Sequence, residues 1–176
     1  GHALRPEGGV LDVGAGQCTL LRTPARQWLM LDAGAGYHGA DPGHVAERYV
    51  VSYLAAHRVR RLEALVLSHT HADHCGLAAA VLDAVPVGQV LTGPDLEASA
   101  AWRAMLAAAQ RQGLTPRPFA AGATLRLGAA GSLTCLEPTR LLVGTPSDAN
   151  NNSLVLRLTM GGVSCLLPGD VQAEGE

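Results

Sequence analysis

The sequence predicts a mixed α/β fold in a single domain. Three observations lead to this prediction: apolar runs of strand length that stop at turn residues, segments with helical spacing of apolar residues, and a length of 176 residues of which 48% are hydrophobic. A chain of this size can bury one sizeable core but is too short for two ordinary domains. We therefore expect one domain over residues 1–176, in which residues 1–9 are a tag remnant and a disordered lead-in.

Strands are predicted where short apolar runs end at Gly, Pro, Asp or Asn. In chain order they are expected over residues 10–14, 18–22, 28–34, 62–68, 87–91, 123–127, 132–136, 153–159 and 163–167. Helices are expected from Asp41-Pro42, over 76–85 and over 95–112. Asp41 suits an N-cap followed by proline at the first helical position, and Gly113 suits the left-handed residue that ends a helix.

Composition argues against a membrane-spanning chain and indicates no overall electrostatic attraction for nucleic acid. The mean hydropathy is only +0.16, and no apolar stretch approaches the roughly 20 residues that span a bilayer. The net charge of −2 means that the molecule as a whole does not attract nucleic acid. Arg58, Arg60 and Arg61 form either a locally basic groove or a solvated helix end.

The four cysteines show no Cys-x-x-Cys pair. Their scattered spacing argues against a disulfide framework and against a cysteine zinc site. Cys135 and Cys165 lie in strand-like runs and are expected to be small core residues. A disulfide between them is the alternative.

Potential metal ligands follow three of the predicted strands. Each apolar run ends in a ligand and then a turn, at Asp32, His69 and Asp170. If these strands are neighbours, their carboxyl ends meet at one edge, where sheet-based sites are usually built.

The segment from His69 to His74 is a candidate metal-binding cluster. His69 and His71 alternate in an extended segment, and Asp73 and His74 follow where the chain turns into a helix. Imidazole nitrogen and carboxylate oxygen are ligands that zinc prefers, and two close ions can support hydrolysis. Asp170, arriving from another strand, is the natural carboxylate to bridge two ions. A polar surface loop is the alternative interpretation of the cluster.

Four motifs occur together in this chain. They are Leu11-Asp12-Val13-Gly14-x-Gly16, Ser68-His69-x-His71-Ala72-Asp73-His74, Ser147-Asp148-Ala149-Asn150-Asn151-Asn152-Ser153, and Leu167-x-Gly169-Asp170. The histidine motif resembles the signature of the metallo-β-lactamase superfamily. Taken in order, the four resemble the C-terminal metallo-β-lactamase-like domain of the ComEC family of DNA-uptake channel proteins, over about residues 10–176.

This resemblance implies a fold and a set of site residues. The family fold is an αββα sandwich with its metals at one edge. By the resemblance His69 and His71 bind one divalent ion, Asp73 and His74 bind the other, and Asp170 binds both. The two ions are expected to be zinc or manganese, and Asp32 to orient the ligand loop from behind.

The resemblance also implies a function. In that family the domain is thought to be a nuclease that degrades the DNA strand that is not imported. We therefore expect a soluble domain of a cell-membrane protein, on the extracytoplasmic side, with Asp73 as the residue that holds or accepts the proton of the attacking water. Its expected partners are single-stranded DNA and the membrane domains of the parent channel, with no separate stable protein partner.

Several positions depart from the family pattern. Ala15 and Gln17 replace the Gln and the second Asp of the usual first motif, so a DNA-binding domain without turnover is one alternative. A hydrolase of esters, lactones or thioesters is another.

Asp148 and Asn151 are possible metal or substrate residues, and an Asx-rich turn is the other explanation of that segment. Because the family continues well past the position of Asp170, the sandwich is expected to be truncated at its C-terminal side.

Overall fold

A computed structural model describes residues 7–11, 16–35, 41–129 and 131–171. The strands are β1 (Glu7–Val10), β2 (Cys18–Arg22), β3 (Trp28–Ala33), β4 (Ala64–Leu67), β5 (Val90–Thr92), β6 (Arg117–Pro118), β7 (Thr124–Arg126), β8 (Gly131–Glu137), β9 (Val155–Met160) and β10 (Val163–Leu167). The helices are α1 (Pro42–Val45), continued by a π-helical turn (Ala46–Val51) and α2 (Ser52–Ala56), then α3 (Ala72–Cys75), α4 (Ala78–Ala84), α5 (Ala100–Arg111) and α6 (Asp148–Asn151).

The strands form two sheets. The first has six strands in the order β1-β2-β3-β4-β5-β6, and the second has four in the order β10-β9-β8-β7. Strands β3 to β6 are parallel neighbours, whereas β1 to β3 and the whole second sheet pair antiparallel. Consequently the carboxyl ends of β3, β4 and β5 lie at one edge of the first sheet.

The alternation of side chains along the central strands separates two cores. Met30 and Leu65 face the helices, while Leu29, Leu31 and Val66 face the second sheet. The buried helical side chains contribute to the first core, and the second core is built from the two sheets and the segments that join them. The described residues therefore form three layers, helices, sheet and sheet, of the sandwich expected from the motifs.

Helix α5 begins later than the sequence predicted. Ser99 is its N-cap, and the Ser99 hydroxyl accepts a hydrogen bond from the Trp102 amide at 3.0 Å. Trp102 and Met105 then lie one turn apart and are buried in the first core. The expected start at Asp95 was wrong because the chain there forms a loop, which reaches the metal-ligand candidates described below.

Other predictions need correction at the edges of the fold. Glu7–Val10 forms β1, although residues 7–9 were expected in a lead-in. A strand was expected over 10–14, of which 12–14 lie outside the described residues. All four cysteines are free, and Cys165 is exposed on β10, so its prediction as a core residue was wrong.

Strand β6 and helix α6 were not predicted. Among the described residues, no helix combines the length and the apolar character needed to cross a bilayer.

Candidate metal centre

The ligand candidates gather where β3, β4 and β10 end. Strands β3 and β4 run parallel side by side, and the Ser68 amide after β4 donates to Asp32 Oδ1 in β3 at 2.7 Å. Strand β10 belongs to the second sheet, yet the Asp170 amide that follows it donates to Ser153 Oγ at 3.1 Å. The Leu154 amide in turn donates to the Ser68 carbonyl at 3.0 Å. The two sheets therefore meet at this site.

The histidine loop changes direction at His71. His71 has extended backbone angles (φ −72°, ψ 149°) and is the N-cap of α3. Asp73 and His74 consequently belong to the first turn of that short helix, which brings them back toward His69. This turn explains how four ligand candidates that are close in sequence reach one small volume.

Five predicted ligands form two overlapping groups of donor atoms. His69, His71 and Asp73 make one group, and His69, His74 and Asp170 make the other, with the donor atoms of each group within 4.8 Å of one another. The structure thus brings all five residues together. It groups Asp73 with the first two histidines and Asp170 with His74, a different division from the one implied by the resemblance.

The buried imidazole of His69 has one nitrogen engaged and one free to bind a ligand. Ser68 Oγ donates to Asp32 Oδ2 at 2.8 Å, so His69 Nδ1, 3.0 Å from the same hydroxyl, must be the donor in their contact. His69 Nε2 then carries a lone pair. It is buried and has no hydrogen-bond partner within the described part of the chain. A buried acceptor of this kind fits a cation.

His74 lies between two carboxylates. Its Nδ1 is 2.8 Å from Asp32 Oδ2, and its Nε2 is 3.2 Å from Asp170 Oδ2. With Nδ1 donating to Asp32, a neutral ring would place the Nε2 lone pair opposite a carboxylate oxygen. A cation, either a proton or a metal ion, stabilises that arrangement. The donor set of imidazole nitrogens and carboxylate oxygens fits divalent metal ions.

The pKa values of the two buried histidines move in opposite directions. The pKa of His69 is lowered to about 3. Burial of the ring is the largest cause, and electrostatic repulsion from His74 and His71 adds to it. Burial also opposes the charge on His74, but its hydrogen bond to Asp32 and the charges of Asp32, Asp170 and Asp73 outweigh it and raise the pKa of His74. His69 is therefore neutral and ready to bind a metal, whereas on His74 a proton competes with the metal.

Glycines allow the closest backbone approaches around the site. A Cβ on Gly34 would lie 1.5 Å from the Asp73 carbonyl oxygen, so only glycine lets the end of β3 pass directly against α3. Gly169 has φ +60°, and a Cβ there would lie 2.8 Å from the Leu154 carbonyl oxygen. Gly169 belongs to the Leu167-x-Gly169-Asp170 motif, and these close approaches are the physical reason for glycine at both positions.

Sequence reasoning missed the loop before α5 that supports the histidine loop. Glu97 Oε2 lies 3.3 Å from His71 Nε2, with both side chains partly exposed. Ser99 Oγ donates to the Thr70 carbonyl at 2.8 Å, and the Thr70 hydroxyl donates to the Leu96 carbonyl. No motif includes Glu97, because its contact depends on how the loop after β5 packs.

The Asn-rich segment contains the short helix α6. Asp148 Oδ1 accepts from the Thr145 hydroxyl at 2.7 Å and from the Thr145 amide at 2.8 Å, and Oδ2 accepts from the Gly144 amide at 3.0 Å. These bonds lower the pKa of Asp148, and the bond from the Thr145 side chain is the largest cause. They come from residues that precede Asp148, so its side chain fixes that segment against the start of α6. Neither group of metal-ligand candidates among the described residues includes Asp148, and its predicted metal or substrate role stays a prediction. Asn151 is buried in α6, and its predicted metal or substrate role stays a prediction.

Asn152 has the clearest role in this segment, and the sequence did not reveal it. Its Oδ1 accepts from the Leu142 amide at 2.7 Å, and its Nδ2 donates to the carbonyls of Leu142 and Asp148, both at 2.7 Å. The side chain thereby ties the loop after β8 to the start of β9. Because Ser153 and Leu154 contact the metal-ligand region, this loop is connected to the site.

Curated relatives match almost the whole chain. It is 27% identical to ComE operon protein 3 of Bacillus subtilis, covering 98% of this chain and 23% of that protein. It is 29% identical to recombination protein 2 of Haemophilus influenzae, covering 94% of this chain and 18% of that protein. The chain thus spans less than a quarter of the length of either relative.

A solved structure and a family model agree on the fold. The metallo-beta-lactamase fold protein YhfI from Bacillus subtilis superposes with a TM-score of 0.58 at 17% identity, covering 92% of this chain and 61% of that one. This likeness confirms the fold class expected from the motifs. The model of the metallo-beta-lactamase superfamily matches residues 11–176. The chain therefore belongs to the metallo-beta-lactamase superfamily, whose fold supports metal-dependent hydrolysis in general.

Proposed function

We propose that this chain is a metal-dependent nuclease domain of a ComEC-like DNA-uptake channel, hydrolysing phosphodiester bonds of the strand that is not imported. The observation that carries the proposal is the convergence of three imidazoles and two carboxylates on one small volume, where His69 Nε2 is free to bind one of the ions. Of the two curated relatives, ComE operon protein 3 and recombination protein 2, the second is named for recombination, a process of DNA, which supports DNA as the substrate. Under this proposal the domain faces the extracytoplasmic side and works beside the membrane domains of its parent.

Under this proposal, the ligand residues would bind the metal ions and Asp73 would also accept a proton. His69, His71, His74, Asp73 and Asp170 would hold two divalent ions, zinc or manganese. Such ions supply positive charge that favours attack of water on phosphorus. Asp73, which is partly exposed, would accept the proton of that water.

Asp32 and Ser68 would position the ligands. Asp32 accepts a hydrogen bond from His74 Nδ1. Ser68 Oγ donates to Asp32 and accepts from His69 Nδ1. This buried hydrogen-bond network sets the orientation of both imidazole rings. Neither Asp32 nor Ser68 needs to touch the substrate for this role.

The test combines metal content with activity. Wild-type protein and the double variant His69→Ala, Asp73→Ala are purified without chelator, and bound zinc, manganese and iron are quantified by mass spectrometry. Each protein is then incubated with end-labelled single-stranded DNA in added zinc or manganese. We expect metal and cleavage in the wild type, and loss of both in the double variant. Equal metal content in the two proteins would refute the site.

Substrate controls separate nuclease activity from other hydrolases of this fold. The same preparations are assayed on bis(4-nitrophenyl) phosphate, a lactone and a thioester. The proposal requires phosphodiester hydrolysis to exceed hydrolysis of the carbon esters. Metal-dependent turnover of the lactone or thioester alone would replace the nuclease proposal. Metal binding and DNA binding without turnover of any substrate would indicate a non-catalytic domain.

A further inference from the structure

A second cavity opens at the same edge of the first sheet as the metal centre. It has a volume of about 310 Å³, which is within the usual size of small-ligand sites. Thr92, the last residue of β5, forms part of its wall and pairs with Leu67 of β4. Leu67 lies one strand spacing, roughly 5 Å, from Thr92. Ser68 and His69 follow Leu67 directly, so the cavity wall lies beside the strand that leads into the histidine loop.

Two backbone contacts tie the cavity to the metal centre. The Gly93 amide donates to the Leu67 carbonyl at 2.9 Å, and a Cβ on Gly93 would lie 2.1 Å from the Ser68 carbonyl oxygen. The loop that contributes Arg140 and Leu141 to the lining is held by the bonds between Leu142 and Asn152. The position of the cavity relative to the metal centre is therefore set by the fold.

The lining of the cavity is apolar and rigid. Its walls include the rings of Pro94, Pro118 and Pro138, together with Phe119 and Leu141. Leu141 is 56% exposed, so an apolar surface faces solvent here. Proline rings lose little conformational freedom on binding a ligand, which favours a preformed apolar site.

Arg140 gives the cavity its charge preference. Among the described residues that line the cavity, it alone is charged. Its side chain is exposed, and no acidic residue of the described ranges forms an ion pair with it. The chemistry that fits an apolar cavity with one guanidinium at its rim is a flat apolar group attached to an anion.

We propose that this cavity is a nucleotide subsite of the metal centre. It would take one unpaired base of single-stranded DNA against the proline rings and the adjoining phosphate at Arg140. This inference rests on the proposed nuclease function for its substrate. Unpaired bases can enter such a pocket, whereas the bases of a duplex are stacked and paired.

Binding is tested without relying on catalysis. The affinity of the full chain for a short fluorescein-labelled single strand is measured by fluorescence anisotropy in chelator, at several salt concentrations. The variants are Arg140→Glu, the conservative Arg140→Lys, and Ala120→Trp, which fills the cavity from an exposed lining position. Arg157→Glu, an exposed arginine in β9 of the second sheet, is the matched charge control.

The expected losses differ among the variants. Arg140→Glu weakens binding about tenfold, as loss of a charge-assisted hydrogen bond predicts, and lowers the salt slope by about 1. Ala120→Trp weakens binding without changing the salt slope, since it removes space and not charge. Arg140→Lys retains most of the affinity, and Arg157→Glu stays within about twofold of the wild type. If Arg140→Glu and Ala120→Trp behave like Arg157→Glu, the subsite is refuted.

A kinetic arm distinguishes failure of the subsite from failure of the proposed function. With metal added, Arg140→Glu should raise KM for the oligonucleotide while changing its kcat by less than about twofold, because the cavity binds the strand and does not contact the phosphorus that is attacked. Wild-type turnover combined with a KM that is unaffected by Arg140→Glu would reject the subsite and keep the nuclease. Weaker binding by both cavity variants without wild-type turnover would keep the subsite and reject the nuclease. Equal losses for single-stranded and duplex DNA would overturn the base pocket.

Discussion

His74 Nδ1 lies 2.8 Å from Asp32 Oδ2 deep inside the protein, although the two residues are 42 positions apart in the chain. The same carboxylate accepts hydrogen bonds from the Ser68 amide and the Ser68 hydroxyl. Asp32 itself has φ +55°, a left-handed conformation that non-glycine residues rarely adopt. One buried carboxylate thus joins the end of β3 to the ligand loop and to α3.

Replacing Asp32 should damage both metal binding and stability. In Asp32→Asn the side-chain amide has one acceptor oxygen in place of two, so it cannot accept from every present donor, and His74 loses one of its two carboxylate partners. We expect metal affinity to fall about 10- to 100-fold and the free energy of unfolding to fall by about 3 kcal/mol. Metal titration and urea unfolding in chelator measure the two effects.

The matched control for Asp32 is Asp95→Asn, an exposed aspartate in the loop before α5. It should change the unfolding free energy by less than about 0.5 kcal/mol. Unchanged metal affinity in Asp32→Asn would show that Asp32 does not orient the ligands.

The low pKa of His69 predicts a pH dependence of stability in metal-free protein. His69 stays neutral in the folded state down to about pH 3, whereas in the unfolded chain it takes up a proton near its ordinary value of 6.5. Its contribution to stability is therefore present above pH 6.5 and is lost as the pH falls toward 3. In this range the loss approaches about 1.4 kcal/mol per pH unit.

The variant His69→Asn isolates this contribution, because asparagine does not titrate. Urea unfolding of both proteins in chelator, at several values from about pH 7 to about pH 5, gives the difference in unfolding free energy. Relative to the variant, the wild type should lose stability as the pH falls. A difference that does not change with pH would contradict a buried, neutral His69.

Gly34→Ala should separate β3 from α3. The added methyl group would meet the Asp73 carbonyl, a backbone atom that cannot move alone. We expect a loss of about 3 kcal/mol in unfolding free energy, at the upper end of overpacking effects, together with lost metal binding. Gly43→Ala is the control, since its nearest contact is the Asp41 carboxylate at 3.1 Å, a movable side chain. Equal melting temperatures for the two variants would be inconsistent with this close approach.

Cysteine reactivity should distinguish one thiol from the other three. Burial raises the pKa of Cys18 and of Cys75 to about 12, and that of Cys135 to about 11, so these thiols are both covered and protonated at neutral pH. Cys165 is exposed. Iodoacetamide labelling followed by peptide mass spectrometry should modify Cys165 alone in native protein and all four in urea. Rapid native labelling of Cys18 or Cys135 would argue against the described core.

Much of the fold could be predicted because local patterns carry it. Strand β2 was predicted with its observed bounds, and β3 and β4 lie within the predicted ranges. Their apolar runs are long enough to be buried on both faces, which is typical of central strands of a parallel sheet. The ends were less predictable. Pro94 to Ala98 carry no local signal that separates a loop from a first helical turn, and packing against Thr70 decides the outcome.

The sequence by itself determined the ligand types, since three histidines and an aspartate within six residues can be seen without a structure. Only the tertiary structure decided how they are grouped, that Glu97 contacts His71, and that Asn152 holds the loop beside a second cavity. The physical reason is that a short motif sets its own backbone path through local steric and hydrogen-bonding preferences. Contacts across 26 or 42 positions depend instead on strand register and on how two sheets pack.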